Sequence, residues 1–91
     1  MDWRRYSVWA VHPGVISQHL GFARDLREVH ELIRAWKKML ELDGLDDLLQ
    51  EVYFSWEEVD LRELAELNGL TWENKFPSQV EEELANLFTS L

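Results

Sequence analysis

LDDLLQEVYFSW, residues Leu45 to Trp56, is the stretch on which the fold turns, because it satisfies two periods at once. Leu45, Leu48, Leu49, Val52, Tyr53 and Trp56 recur at the steps of three and four that mark a helical stripe. Yet Val52-Tyr53-Phe54-Ser55-Trp56 is β-branched and aromatic, and Val52, Phe54 and Trp56 share one face of a strand. A strand from about Leu49 to Ser55 is the favoured reading and makes the chain α+β. A helix there leaves the alternative, a mostly α chain with an N-terminal strand or hairpin.

Upstream, the apolar residues Leu26, Val29, Leu32, Ile33, Trp36, Met39 and Leu40 predict an amphipathic helix from Arg24 to Leu42, about 28 Å long. Arg24 and Glu28, and Arg27 and Glu31, stand four apart on its outer face, and Gly44 fits as its stop. Arg5 to His12 alternates as a strand with apolar groups on both faces, which suits a strand covered on both sides. Strand, long helix and strand then make a β-α-β core with the helix as crossover, right-handed if the strands run parallel. Two strands make a marginal sheet, so a third is expected from Val15 to Gln18, from Leu70 to Trp72, or from another chain. Val15 to Gly21 reads equally as a hairpin strand or as a short helical connection.

Downstream, Asp60 opens a short helix through Leu67 that Asn68-Gly69 closes, with a start at Ser55 as the competing register. A final helix follows Pro77-Ser78, where Ser78 and Glu81 form an S-x-x-E capping box and Val80, Leu84, Leu87, Phe88 and Leu91 form the stripe. Residues 1–91 thus read as a single compact domain with C-terminal helices.

Charge divides this chain more sharply than hydropathy does. Met1 to Leu40 carries seven basic and four acidic residues, whereas Glu41 to Leu91 carries Arg62 and Lys75 against fourteen acids, for a net charge of −9. Such a surface disfavours direct contact with nucleic acid or an anionic membrane, both of which reward cations. The absence of cysteine excludes disulfides, thiolate catalysis and sulfur-ligated zinc. The apolar run Tyr6 to Val11 is too short for a signal peptide or a membrane span, so a soluble, cytoplasmic protein is expected.

Chemistry-bearing motifs are missing. His12, His19 and His30 form no H-x-x-x-H pair, and Asp43, Asp46, Asp47 and Glu51 lack the alternate-position ligands and central glycine of a calcium loop. No nucleophile elbow or phosphate-binding glycine loop occurs, so neither a cofactor nor enzymatic activity is expected.

The expected function is therefore a binding one: an inhibitor or adaptor that presents a carboxylate-rich face to a basic, nucleic-acid-binding surface of a partner protein. Phage anti-restriction and anti-CRISPR proteins work in this general manner, an analogy of charge with no shared motif. Asp60, Glu63 and Glu66 would form an i,i+3 ridge rising about 4.5 Å per step, near the scale of one strand's phosphate spacing. Asp46 and Asp47 form the second acidic candidate. Among five tryptophans, Trp9, Trp36 and Trp56 fall on periodic apolar faces and read as core, whereas Trp3 and Trp72 lie outside the stripes and are the candidates for partner contacts. A solvated acidic face that keeps the chain soluble is the plain counter-reading. The functional alternative is a structural subunit of a homo-oligomer formed through an edge strand or apolar surface.

Overall fold

Arg4–Val11 forms β1, with Arg5, Ser7, Val8 and Ala10 buried and Tyr6, Trp9 and Val11 half-buried, so both faces of the strand are covered. The computed structural model describes residues 1–14 and 17–89, and at Asp46 the backbone alone. Val15 and Ile16, at the expected second strand or connection, and Ser90 and Leu91, at the end of the last stripe, lie outside the described residues.

Gln18–Ala23 forms β2 and Tyr53–Asp60 forms β3, each antiparallel to β1, in the order β2-β1-β3. The α+β class is as expected, and Gln18–Ala23 supplies the third strand. The β-α-β unit is present in split form, with β2 as its first strand in place of the expected Arg5–His12 strand, which pairs antiparallel with β3. Because β2 and β3 both run against β1 they are parallel to each other, and the long helix joins them while β1 occupies the place between. The β1–β2 register slips between Val8 and Trp9, beside Gly21 at φ +143°, a conformation that side chains rarely adopt.

The ambiguous stretch resolves into both of its readings, end to end. Asp46–Gln50 is a 3-10 helix, and β3 begins at Tyr53, four residues later than the expected Leu49. The strand then continues past Ser55 to Asp60 because β1 starts at Arg4 and offers a partner at every position from Val11↔Tyr53 to Arg4↔Asp60. Cross-strand pairing overrides the weak β-propensity of Glu57 and Glu58.

Leu26–Leu42 forms α1, capped by Asp25, whose Oδ1 accepts from the Glu28 amide at 2.9 Å. At its other end Gly44 (φ +72°) allows Leu45 N–H to reach Leu40 O at 2.8 Å and Gly44 N–H to reach Glu41 O at 3.1 Å, the bond pair of a Schellman motif. Val29 and Ile33 pack with Val8 and Ala23 on one face of the sheet, supported by Tyr6, Leu20, Leu32 and Phe54.

Leu61–Leu67 forms α2 and Pro77–Thr89 forms α3, which pack together on the opposite face. Leu61, Ala65, Val80 and Leu84 are fully buried there, flanked by Trp3, Phe22, Leu64, Leu70, Trp72 and Phe88. Asp60 caps α2, so the register that starts at Ser55 is not the one adopted. The expected capping box of α3 is displaced: Pro77 is the first helical residue and Gln79 Oε1 accepts from the Phe76 amide at 2.8 Å. Proline at the first position pulls the start two residues ahead of the S-x-x-E reading, which leaves Ser78 inside the helix and Glu81 free to pair elsewhere. No helix among the described residues is long and apolar enough to cross a membrane.

Candidate partner-binding surface

Asp60 ends β3 in extended backbone (φ −98°, ψ 120°) and turns the chain into α2. Its Oδ1 accepts from the Arg62 amide at 2.9 Å, and the Arg62 side chain returns through Nε to Oδ1 at 3.1 Å and Nη2 to Oδ2 at 2.8 Å. The Arg62 guanidinium, by hydrogen bonding first and charge second, holds the Asp60 carboxyl below the usual carboxylate range. The same guanidinium lies 5.9 Å from the Trp3 ring centre and 5.8 Å from that of Trp72, and the two indoles meet edge to face at 5.8 Å. Trp72 Nε1 donates to Glu66 Oε1 at 2.8 Å, while Glu63 points to solvent without an ion pair among the described residues.

Five of the residues singled out by sequence, Trp3, Asp60, Glu63, Glu66 and Trp72, therefore gather around α2. At their centre is Arg62, which no pattern had marked. The acidic ridge is shorter than expected, because Asp60 stands outside the helix and its carboxylate is held by Arg62 and the α2 amide; the helical spacing applies to Glu63 and Glu66 alone. Trp3 and Trp72 are half-buried against the second core cluster, so only part of each indole is open to a partner.

Asp46 and Asp47 lie in the 3-10 helix before β3, whereas α2 follows it, so eight strand residues hold the two acidic groups apart by roughly 23 Å. Asp47 is exposed; the Asp46 side chain is outside the described residues. What joins the groups is β3 itself. From Asp43 to Asp60 the chain holds seven acids and no lysine or arginine. Glu58 meets Arg4 at 3.9 Å on the open surface, Glu51 meets His12 at 3.1 Å, and Glu57 and Asp47 make no ion pair among the described residues. Reading the strand through to Asp60 would have marked Glu57 and Glu58, since Tyr53, Ser55, Glu57 and Val59 continue the period of two.

The sheet also separates charge between the layers. Arg24 to Leu42 carries five cations and four acids on one face; Leu61 to Thr89 carries two cations and six acids on the other. There Lys75 is taken by Glu83 at 3.0 Å and Arg62 by Asp60, which leaves the α2–α3 layer with no unpaired cation among the described residues.

The cap and the free acid respond differently to mutation. Asp60→Ala removes the α2 cap and the partner of Arg62 and is expected to lower stability by about 1–2 kcal/mol in urea denaturation. Glu63→Gln should stay within about 0.5 kcal/mol of the parent. Equal losses from the two would mean that Asp60 has no structural role. No known protein family, curated protein or solved structure matches this chain.

Proposed function

We propose that the chain is an acidic protein-binding module, an inhibitor or adaptor that presents carboxylates to a basic, nucleic-acid-binding surface of a partner protein, as phage anti-restriction or anti-CRISPR proteins do. The supporting observation is that residues 43–60 hold seven acids and no lysine or arginine of their own, and that this segment spans the 3-10 helix and the terminal strand of the sheet, with Glu63 and Glu66 continuing it at the α2 end. The excess of negative charge over such a surface accelerates encounter with a basic partner, and the half-buried indoles of Trp3 and Trp72 supply contacts that slow release.

Affinity capture from host or target cells tests this reading. The parent chain is expected to retain a basic nucleic-acid-binding protein that excess duplex DNA displaces. The combined variant Asp47→Asn, Glu57→Gln, Glu63→Gln, Glu66→Gln should lose that protein with its circular dichroism unchanged, since all four residues are exposed. Identical capture by the variant, or recovery of acidic proteins alone, would defeat the reading.

Self-association is the second reading, favoured by the outer edge of β3, which no described strand pairs, and by Tyr53 and Trp56, which are 56% and 39% exposed. A monomer by light scattering at every ionic strength removes it, whereas an oligomer indifferent to salt supports it.

A further inference from the structure

We infer that the outer edge of β3 accepts an extended basic segment of a partner protein, which adds to the sheet as a fourth strand. The inference rests on the acidic-module reading above and specifies how the partner is held. β3 is terminal in the sheet, eight residues long and in unbroken register with β1, so its outer edge is a regular ladder that no described strand occupies.

The backbone pattern says which groups that edge offers. Leu61 N–H donates to Trp3 O at 2.9 Å, one step beyond the Arg4↔Asp60 pair, which makes Trp3 and Leu61 a hydrogen-bonded pair of the antiparallel ladder. Alternation then turns the N–H and C=O groups of Phe54, Trp56 and Glu58 outward. These three also share the face that looks toward α1, since they pair with Ala10, Val8 and Tyr6.

On that face α1 sits over β2 and β1 and touches β3 through His30 against Trp56 at 5.8 Å and Trp36 against Phe54 at 5.6 Å. A groove of about 660 Å³ remains between them, lined by His30, Ile33, Leu49, Val52 and Trp56 among others. Lys37 at its side is drawn over the Phe54 ring at 5.2 Å. An incoming strand that places apolar side chains opposite Phe54 and Trp56 fills this groove, and its alternate residues fall on the opposite face beside Glu57.

Charge selects the occupant. Edge strands use like charges to repel copies of themselves, and a chain of net −9 with Glu57 and Glu58 on its edge does so strongly. The same carboxylates attract a strand in which lysine or arginine alternates with apolar residues. The occupant is therefore a cationic, alternating segment of a different protein rather than a second copy of this chain.

Fluorescence anisotropy with a labelled peptide of alternating lysine and valine, matched to the eight residues of β3, tests the edge directly. Two forms of equal charge carry N-methyl groups on the valine amides or on the lysine amides, and octalysine serves as the charge-only probe. One methylated form should bind about tenfold or more weakly than the parent peptide while the other stays within about threefold, because an added strand directs alternate amides at the edge. The sensitive form is the valine one for antiparallel addition and the lysine one for parallel addition. Glu57→Gln with Glu58→Gln should weaken the parent peptide and flatten its salt dependence. An equal response of the two methylated forms overturns the strand addition, and if octalysine still binds, the acidic-module reading stands without it. Failure of every cationic peptide, octalysine included, counts against both. A dimer detected without peptide gives the edge to a second copy and likewise overturns the inference.

Discussion

Replacing Glu81 with alanine is expected to lower the stability of the fold by about 2–3 kcal/mol, a large share of what a domain of this size has. Arg5 is 8% exposed on the face of β1 that α3 covers, and its Nε lies 3.3 Å from Glu81 Oε2. Its Nη1 donates to the carbonyls of Asp2 and Arg4 at 3.0 and 2.7 Å, but Nε makes no hydrogen bond of good geometry. The attraction to Glu81 is therefore mainly Coulombic, and it is the compensation for a cation otherwise surrounded by carbonyl dipoles and side chains. Removing the carboxylate leaves that cation buried and unbalanced, which is where large losses arise; a quarter of the Glu81 side chain still meets solvent, which trims the figure. The paired change Arg5→Met with Glu81→Leu should recover most of the loss, because an apolar pair of similar volume has no desolvation to repay. Urea midpoints at constant slope measure both. A Glu81→Ala loss below about 0.5 kcal/mol would show that solvent already screens the pair.

Acidification is expected to remove up to about 3 kcal/mol through His19. The imidazole is 7% exposed inside an aromatic cage, with ring centres 4.7 Å from Trp9, 4.7 Å from Phe22 and 5.0 Å from Phe88. Its Nε2 lies 3.0 Å from Ser7 Oγ, which itself accepts from Trp9 Nε1 at 3.1 Å, so the hydroxyl proton is available to a neutral ring. Burial lowers the pKa from 6.5 to about 4. The folded state thus resists a proton that the unfolded chain takes first. The stability from the neutral ring is complete above pH 6.5, falls as pH drops toward 4, and is fully lost below that. Carboxylates protonated in the same range relieve the repulsion of the −9 charge, so the measurable quantity is the difference from His19→Phe. Relative to the parent, that variant should gain stability steadily from pH 6.5 to 4; a difference constant across the range would sink the assignment.

Much of this architecture is legible before any packing is considered. The three-and-four repeat of α1, the aspartate that opens α2 and the two-sided apolar content of β1 are each carried by residues within a few positions of one another. Misreadings arose where a distant partner intervenes. β3 runs four residues later than its composition suggests because its length is set by β1, more than forty positions upstream. The start of α3 is by contrast a local matter: Pro77 takes the first helical position and Gln79 Oε1 accepts from the Phe76 amide, which leaves Ser78 inside the helix. The candidate surface shows the same division: the excess of carboxylates was plain, but Asp60 is a helix cap bound to Arg62 and Glu66 holds an indole.

Helix and strand periods, capping residues and the sign of each segment's charge are properties of neighbours along the chain, and so they belong to the amino-acid order alone. Strand order, the exposed edge of β3, the burial of Arg5 beside Glu81 and the cage around His19 depend on groups far apart in the chain. Packing brings these together by burying two apolar faces of one central strand, and no local period records which charges that burial consumes and which it leaves for a partner.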